Sequence, residues 1–216
     1  MRIIGLTGGV GAGKSTVLGL LRERHHAYVI EADAVGRRLM KKGGITYVKI
    51  LEAFGTDMLD ADGEIHKGRL AAAAFGTEEA TQRLNACTHP YIREAIAEEI
   101  IQAERTGAYE LLVLEAAILA QGGLAQLCDA IWYVSVPQEV RIQRIMDSRG
   151  YTLERAADVI ARQPSEAEYL ALADAVIHNH GSLDETAAQV ACLLASFEIC
   201  QALHCQPGDL LEWKAD

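Results

Sequence analysis

The sequence predicts an α/β fold: a mainly parallel sheet flanked by helices, with a helical lobe inserted into it. Three observations point there. The chain opens on a short apolar run, a glycine-rich turn and an amphipathic helix, RIIGLTGGVGAGKSTVLGLL. Apolar runs of strand length then alternate with helical periodicity, and strands that alternate with helices pair in parallel and are covered on both faces. Between residues 45 and 106 that alternation stops, and the pattern is mostly helical with no convincing strand.

Taken in order, residues 2–6 read as a buried strand and 14–24 as a helix with Val17, Leu18, Leu20 and Leu21 on its apolar face. Residues 28–30 form a second strand, whose end carries Glu31, Ala32 and Asp33 before a helix that runs to Leu39. In the helical block, Pro90 is expected in the first turn of the last helix, PYIREAIAEEIIQAER, where a missing N–H costs nothing. YELLVLEAAIL is a buried strand with its edge functions near Glu115, and AIWYVSV is another, with Trp132 in the sheet core. Pro137 opens the helix QEVRIQRIM. Residues 148–170 are polar and arginine-bearing, ADAVIHN is the last strand, SLDETAAQVACLLASFEIC the last helix, and QPGDLLEWKAD a loosely held extension. The expected division of this single domain is 1–36, 108–147 and 171–200 as a core, 37–107 as the inserted lobe, 148–170 as a lid and 201–216 as a tail.

The composition is globular: 216 residues, 50% hydrophobic, 23% charged. The net charge of −10 argues against a nucleic-acid groove or an anionic membrane surface as partner. A bound phosphate must therefore be held by local cations and backbone amides. The five cysteines are odd in number, widely spread and without a C-x-x-C pair, which fits free thiols in a reducing compartment. Cys200, His204 and Cys205 lie close in sequence; with no obvious fourth ligand, a helix end is the simpler reading than a metal site. The opening apolar run is too short and glycine-rich for a signal peptide or a membrane span, so a soluble cytoplasmic protein is expected.

The chemistry begins at GGVGAGKS, which puts Gly8, Gly13, Lys14 and Ser15 at the fixed positions of G-x-x-x-x-G-K-S, with a strand before and a helix after. Glycine lets backbone N–H groups turn toward an anion, and a helix N-terminus adds favourable partial charge. Lys14 is expected to bridge the outer phosphates of a nucleotide and Ser15 to hold magnesium. The alternative, a glycine turn with no ligand, accounts for fewer of these positions. Asp33 ends a strand on the edge where parallel sheets bind ligands. It suits a base that takes a proton from an attacking hydroxyl, and equally an N-cap for the helix AVGRRL. Arg141 and Arg144 share a helix face, with Arg149 and Arg162 following. Together they suit a closing flap that neutralises phosphates and excludes water, although a solvated helix explains any one of them. His89 reads as a capping or core residue or, from its place in the helical lobe, as an acceptor contact.

These motifs together resemble dephospho-coenzyme A kinases over residues 1 to about 195. The resemblance rests on GLTGGVGAGKST, the Ala32-Asp33 pair with Arg37 downstream, FGTDMLDADGEI, LNACTHPYI, VPQEVRIQRIM and ADAVIHNHGSLDET. It implies a P-loop kinase fold with a nucleotide core, an acceptor-binding helical lobe and a lid. It further implies transfer of the γ-phosphate of ATP, with Mg2+, to the ribose 3′-hydroxyl of dephospho-CoA. By the same resemblance Asp33 is the base. Gly11, Ala12, Gly13, Lys14, Ser15 and Thr16 form the phosphate loop, Thr7, Arg37 and His89 lie at the acceptor, and Arg141, Arg144 and Arg149 serve the lid and the ATP. Asn179 and Gly181 fall near the adenine. Ser15, Glu31 and Glu115 are the magnesium candidates. The chain departs from the family pattern at Glu31, often an aspartate, at Lys67, often an arginine, in EAAILAQ (115–121), in S-R-G at 148–150, and at Val159. Two other readings stay open: another small-molecule nucleoside or nucleotide kinase, and a nucleotide-dependent switch, which the lack of an N-K-x-D sequence disfavours.

Overall fold

The computed structural model describes residues 1–203, with side chains described through Phe197. The strands β1 (Arg2–Thr7), β2 (Tyr28–Glu31), β3 (Leu111–Glu115), β4 (Ala130–Ser135) and β5 (Ala175–His178) form one sheet in the order β2-β3-β1-β4-β5. β1 is parallel to β3, with Ile4 opposite Val113, and to β4, with Leu6 opposite Trp132; β4 is parallel to β5. All of β4 and the first four residues of β3 are buried. That is why these segments read as unbroken apolar runs and not as alternating ones.

The chain divides into two compact units. The first comprises Met1–Val29, Tyr109–Leu119 and the described residues from Cys128 onward. In it, helix α1 (Lys14–His25) buries the four expected apolar residues, which join Ile4, Trp132, Val190 and Phe197 in one core. The second unit comprises Ile30–Ala108 and Ala120–Leu127. It holds α2 (Ala32–Leu39), α3 (Ile45–Phe54), α4 (Lys67–Ala74) and α5 (Glu78–Thr106), packed on Ile50, Leu70 and Ala74. All of α2 thus lies in the second unit. Residues 148–170 complete α6 (Gln138–Arg149) and form α7 (Leu153–Ala161) and α8 (Glu166–Leu172) of the first unit.

Pro90 does not open a helix. It lies inside α5, which runs through it from Glu78 to Thr106. Proline in a helix interior costs a backbone hydrogen bond and bends the helix. Pro90 leaves Ala86 O without its helical donor, and just before that gap the Thr88 hydroxyl donates to Leu84 O at 2.9 Å. The helical block holds no strand, as expected, and one isolated antiparallel bridge, Leu59 to Ile65. It closes around the D-A-D-G turn, where Asp60 Oδ1 accepts from the N–H groups of Asp62 and Glu64 at 3.0 and 2.9 Å.

Helix α9 (Leu183–Leu203) starts on a reciprocal cap: Ser182 N donates to Glu185 Oε2 at 2.7 Å and Glu185 N to Ser182 Oγ at 3.2 Å. The expected tail, and the Cys200, His204 and Cys205 side chains, lie outside the described residues. No helix among the described residues is long and apolar enough to cross a membrane.

Candidate active site

β1 delivers the chain into the glycine turn, and α1 leaves it. Gly11 and Gly13 take φ values of 81° and 80°. A Cβ at Gly11 would stand 2.8 Å from Arg141 O, so sterics and backbone both demand glycine there. The loop's carbonyl oxygens are held by side chains. Lys14 Nζ donates to Gly8 O at 2.9 Å, Arg141 Nε to Val10 O at 3.0 Å and Arg144 Nη1 to Gly11 O at 3.4 Å. Asn179 Nδ2 donates to Ala12 O at 2.9 Å and Gly13 O at 3.3 Å. At the start of α1, Thr16 N donates to Gly13 O at 3.0 Å, and the N–H groups at such a helix start suit an anion, beside the exposed Ser15 and Thr16.

A further set of bonds fixes these holders. Gln163 Oε1 accepts from Val10 N at 3.0 Å and from Arg141 Nη2, so the segment after α7 is pinned to the loop. Arg144 Nη2 donates to Asn179 O at 2.9 Å, and the buried Thr186 hydroxyl donates to Asn179 Oδ1 at 3.0 Å. Both ends of the Asn179 amide are therefore engaged with protein atoms. Gly181 leaves room for the Glu185 carboxylate, which a Cβ there would strike. Thr7 is fully buried, and its hydroxyl shares Ala117 O with the Tyr169 hydroxyl, each at 3.1 Å. Arg149 is exposed, its guanidinium 6.0 Å from the Tyr151 ring centre; among the described residues no hydrogen bond ties it to the loop. Arg162 is exposed as well.

Lys14 Nζ also pairs with Glu115 Oε1 at 3.4 Å, both side chains being mostly buried. Ser15 and Glu115 offer hard oxygen donors of the kind magnesium takes. That ion uses few protein ligands and fills its shell with water and phosphate oxygens. Among the described residues no group of three or more His, Cys, Asp or Glu could hold a metal ion by itself. The donor set therefore fits a magnesium ion that arrives with phosphates.

In the second unit, Asp33 occupies the first turn of α2 and is exposed. It is not the N-cap. Glu31 holds that position, with no side-chain cap bond. Arg37 lies one turn on, beside a cavity of about 470 Å³. His89 packs against Gly122, where an added Cβ would come within 3.3 Å of its own Cβ, and partial burial lowers the imidazole pKa. Arg93, one turn along α5, donates from Nε to Gly123 O at 3.3 Å. Sequence reasoning passed over Arg93, Thr186 and the loop contact of Gln163. Only the four-residue step from His89 to Arg93 was a local signal.

A sequence model of the dephospho-CoA kinase family matches residues 2–185. The chain belongs to that family. Its similarity to the dephospho-CoA kinase of Corynebacterium diphtheriae is 44% identity over 85% of this chain and 91% of the relative. A Thermus thermophilus protein, TT1252, superposes with a TM-score of 0.78 at 28% identity, over 91% of this chain and 97% of that one. The shikimate kinase of Acinetobacter baumannii shares the fold, with a TM-score of 0.52 at 17% identity over 92% and 95% of the two chains. A Cro/C1-type helix-turn-helix DNA-binding domain model matches residues 198–216, of which 204–216 lie outside the described residues. Family membership makes this protein an ATP-dependent kinase of the P-loop fold.

Proposed function

We propose that this chain transfers the γ-phosphate of ATP to the ribose 3′-hydroxyl of dephospho-CoA, giving CoA and ADP. One observation carries the reading: the family match spans residues 2–185, and so takes in both the phosphate loop and the helical unit. In the reaction a bond forms between the 3′-oxygen and the γ-phosphorus while the bond from that phosphorus to the β–γ bridging oxygen breaks. The hydroxyl proton passes to the Asp33 carboxylate. Its exposed place in the first turn of α2, free of any capping duty, supports this role.

Lys14, on the amide-lined loop, holds the outer phosphates, and Arg141 and Arg144 balance charge as it moves to the leaving ADP. Their hydrogen bonds to loop carbonyls support that placement. Ser15 and Glu115 would hold magnesium, with Glu31 a further candidate; the ion neutralises phosphate charge when bound. The loop residues Gly11 to Thr16 hold the phosphates. Asn179 shapes the loop from behind, next to Gly181, and Arg149 reaches the nucleotide from the 148–170 lid. The helical unit binds the acceptor through Arg37 and His89, with Thr7 at the end of β1. The reading is of a cytoplasmic enzyme acting on small molecules, with neither nucleic acid nor membrane as partner, and the −10 net charge supports it.

Incubation with ATP, magnesium and dephospho-CoA should yield CoA by mass spectrometry. Phosphorylation of a nucleoside or nucleoside monophosphate with none of dephospho-CoA would reject the acceptor assigned here. Asp33→Asn should lower kcat by about 10²- to 10⁴-fold, the range for loss of a general base, while ATP still binds in calorimetry. Full turnover by that variant would remove Asp33 from its role.

A further inference from the structure

Gln163 stands in a short link that is fixed at both ends. Its N–H closes α7 on Ile160 O at 3.0 Å. Pro164 follows, which disfavours helix at the residue before it, and Ser165 opens α8 with a capping box shared with Glu168. Tyr169 of α8 is buried and stacked on Tyr133 of β4, with ring centres 5.0 Å apart, so α8 is anchored to the sheet. The side-chain amide of Gln163 is thereby brought to the glycine loop, where Oε1 accepts from Val10 N and Arg141 Nη2. The two side chains lie close over Gly9. An added Cβ there would strike the Arg141 guanidinium and come within 2.8 Å of Gln163 Oε1.

Arg141 is buried, yet it pairs with no carboxylate among the described residues. A buried guanidinium ordinarily has such a partner, because a lone buried charge is costly. Two acids follow Gln163 in the same stretch, and both are engaged elsewhere. Glu166 accepts from Ser135 Oγ at 3.2 Å, and Glu168 accepts from Ser165 N and Oγ at 2.8 Å each. The group that reaches Arg141 is the neutral amide. Nε and Nη2 of the arginine are taken by Val10 O and Gln163 Oε1, while Nη1 makes no hydrogen bond among the described residues. Neutral oxygens thus hold the guanidinium at two corners. Its third corner and its whole charge are left beside a loop that suits an anion.

We propose that Gln163 is a positioning residue for phosphoryl transfer: its neutral amide fixes Arg141 over the loop and leaves the charge of the guanidinium free for the phosphates. The proposal rests on Arg141 serving the phosphates of ATP, and not on which acceptor receives the phosphoryl group. A carboxylate at position 163 would hold the arginine more firmly and cancel it at the same time. The amide separates those two effects. It also ties Val10 N to the same oxygen, so the loop and the arginine keep one mutual geometry.

The test compares Gln163→Glu with Gln163→Met in the full chain. Glutamate keeps both hydrogen bonds, strengthens them and neutralises Arg141. Gln163→Glu should therefore melt at or above the wild-type temperature, yet lose kcat at least about tenfold, with KM for the acceptor unchanged. Gln163→Met removes the acceptor oxygen and leaves the charge, so it should melt lower and lose less kcat than Gln163→Glu. A merely structural link reverses that order, since activity would then follow melting temperature. Wild-type kcat in Gln163→Glu overturns the proposal, as does a kcat that tracks stability across the three proteins. Should Gln163→Glu not fold, wild-type kcat in Gln163→Met overturns it as well. Arg141→Met separates this proposal from the reading beneath it. Wild-type kcat in that variant removes the role given to Arg141 itself. Loss of kcat there, with Gln163→Glu unaffected, rejects only the part given to Gln163.

Discussion

Asn179 shows how a single side chain can hold the shape of a loop far from it in sequence. Its amide N–H groups hold Ala12 O and Gly13 O, and its oxygen is held by Thr186. Thr186→Val would leave that oxygen buried without a donor, a loss of about 1–3 kcal/mol. The variant should unfold at lower temperature and show a higher KM for ATP, and Thr186→Ser should restore both. His89 carries a different signal. Burial lowers its folded-state pKa below the ordinary 6.5, so the unfolded chain binds a proton more readily than the folded one. Stability should therefore fall as pH drops through about 6.5 toward the lowered folded value. His89→Gln should flatten that part of a melting-temperature profile. Neither effect was legible in the sequence as such: Asn179 is 167 positions from Ala12, and no local pattern reports a contact of that span. The loop itself was legible because its determinants are consecutive.

At the scale of elements, strands and short helices could be read from periodicity, while the long helix could not. Proline at a first turn and proline inside a continuous helix look alike in a one-dimensional pattern; α5 runs through Pro90 with α3 and α4 packed in the same unit. The N-cap reading of Asp33 was a reasonable local inference, and a shift of two residues in the start of α2 removed it. The S-L-D-E start of α9 is a local motif, and the structure forms it. Ser182→Ala should cost about 1 kcal/mol by loss of the cap, read as a lower denaturant midpoint with an unchanged slope. Because Thr186 lies in the first turn of α9, the same variant should also weaken ATP binding slightly; an effect on stability alone would separate the cap from the loop.

For the whole molecule, the α/β architecture followed from the order of apolar runs, and the five-stranded parallel sheet bears it out. The cysteines make a testable contrast. Burial, with the Asp129 carboxylate adding to it, pushes the Cys128 thiol up to about 12. Cys192 is exposed, and the described cysteines are all free thiols. Since the thiolate is the nucleophile, an alkylating reagent at pH 8 should label the exposed Cys192 of the folded protein faster than the partly buried Cys128. Peptide mapping by mass spectrometry reads the difference; equal labelling would contradict the burial of Cys128.

The carbonyl-holding side chains around the glycine loop have one more consequence. A peptide plane can rotate and exchange the faces of its C=O and N–H with little movement of its neighbours, and glycine makes that rotation easy. Lys14, Arg141, Arg144 and Asn179 each tether an oxygen that would have to swing. A glycine loop free to rotate could turn oxygens inward and favour a cation. This one is locked in the polarity that favours anions, so the glycines supply shape without supplying ambiguity of sign.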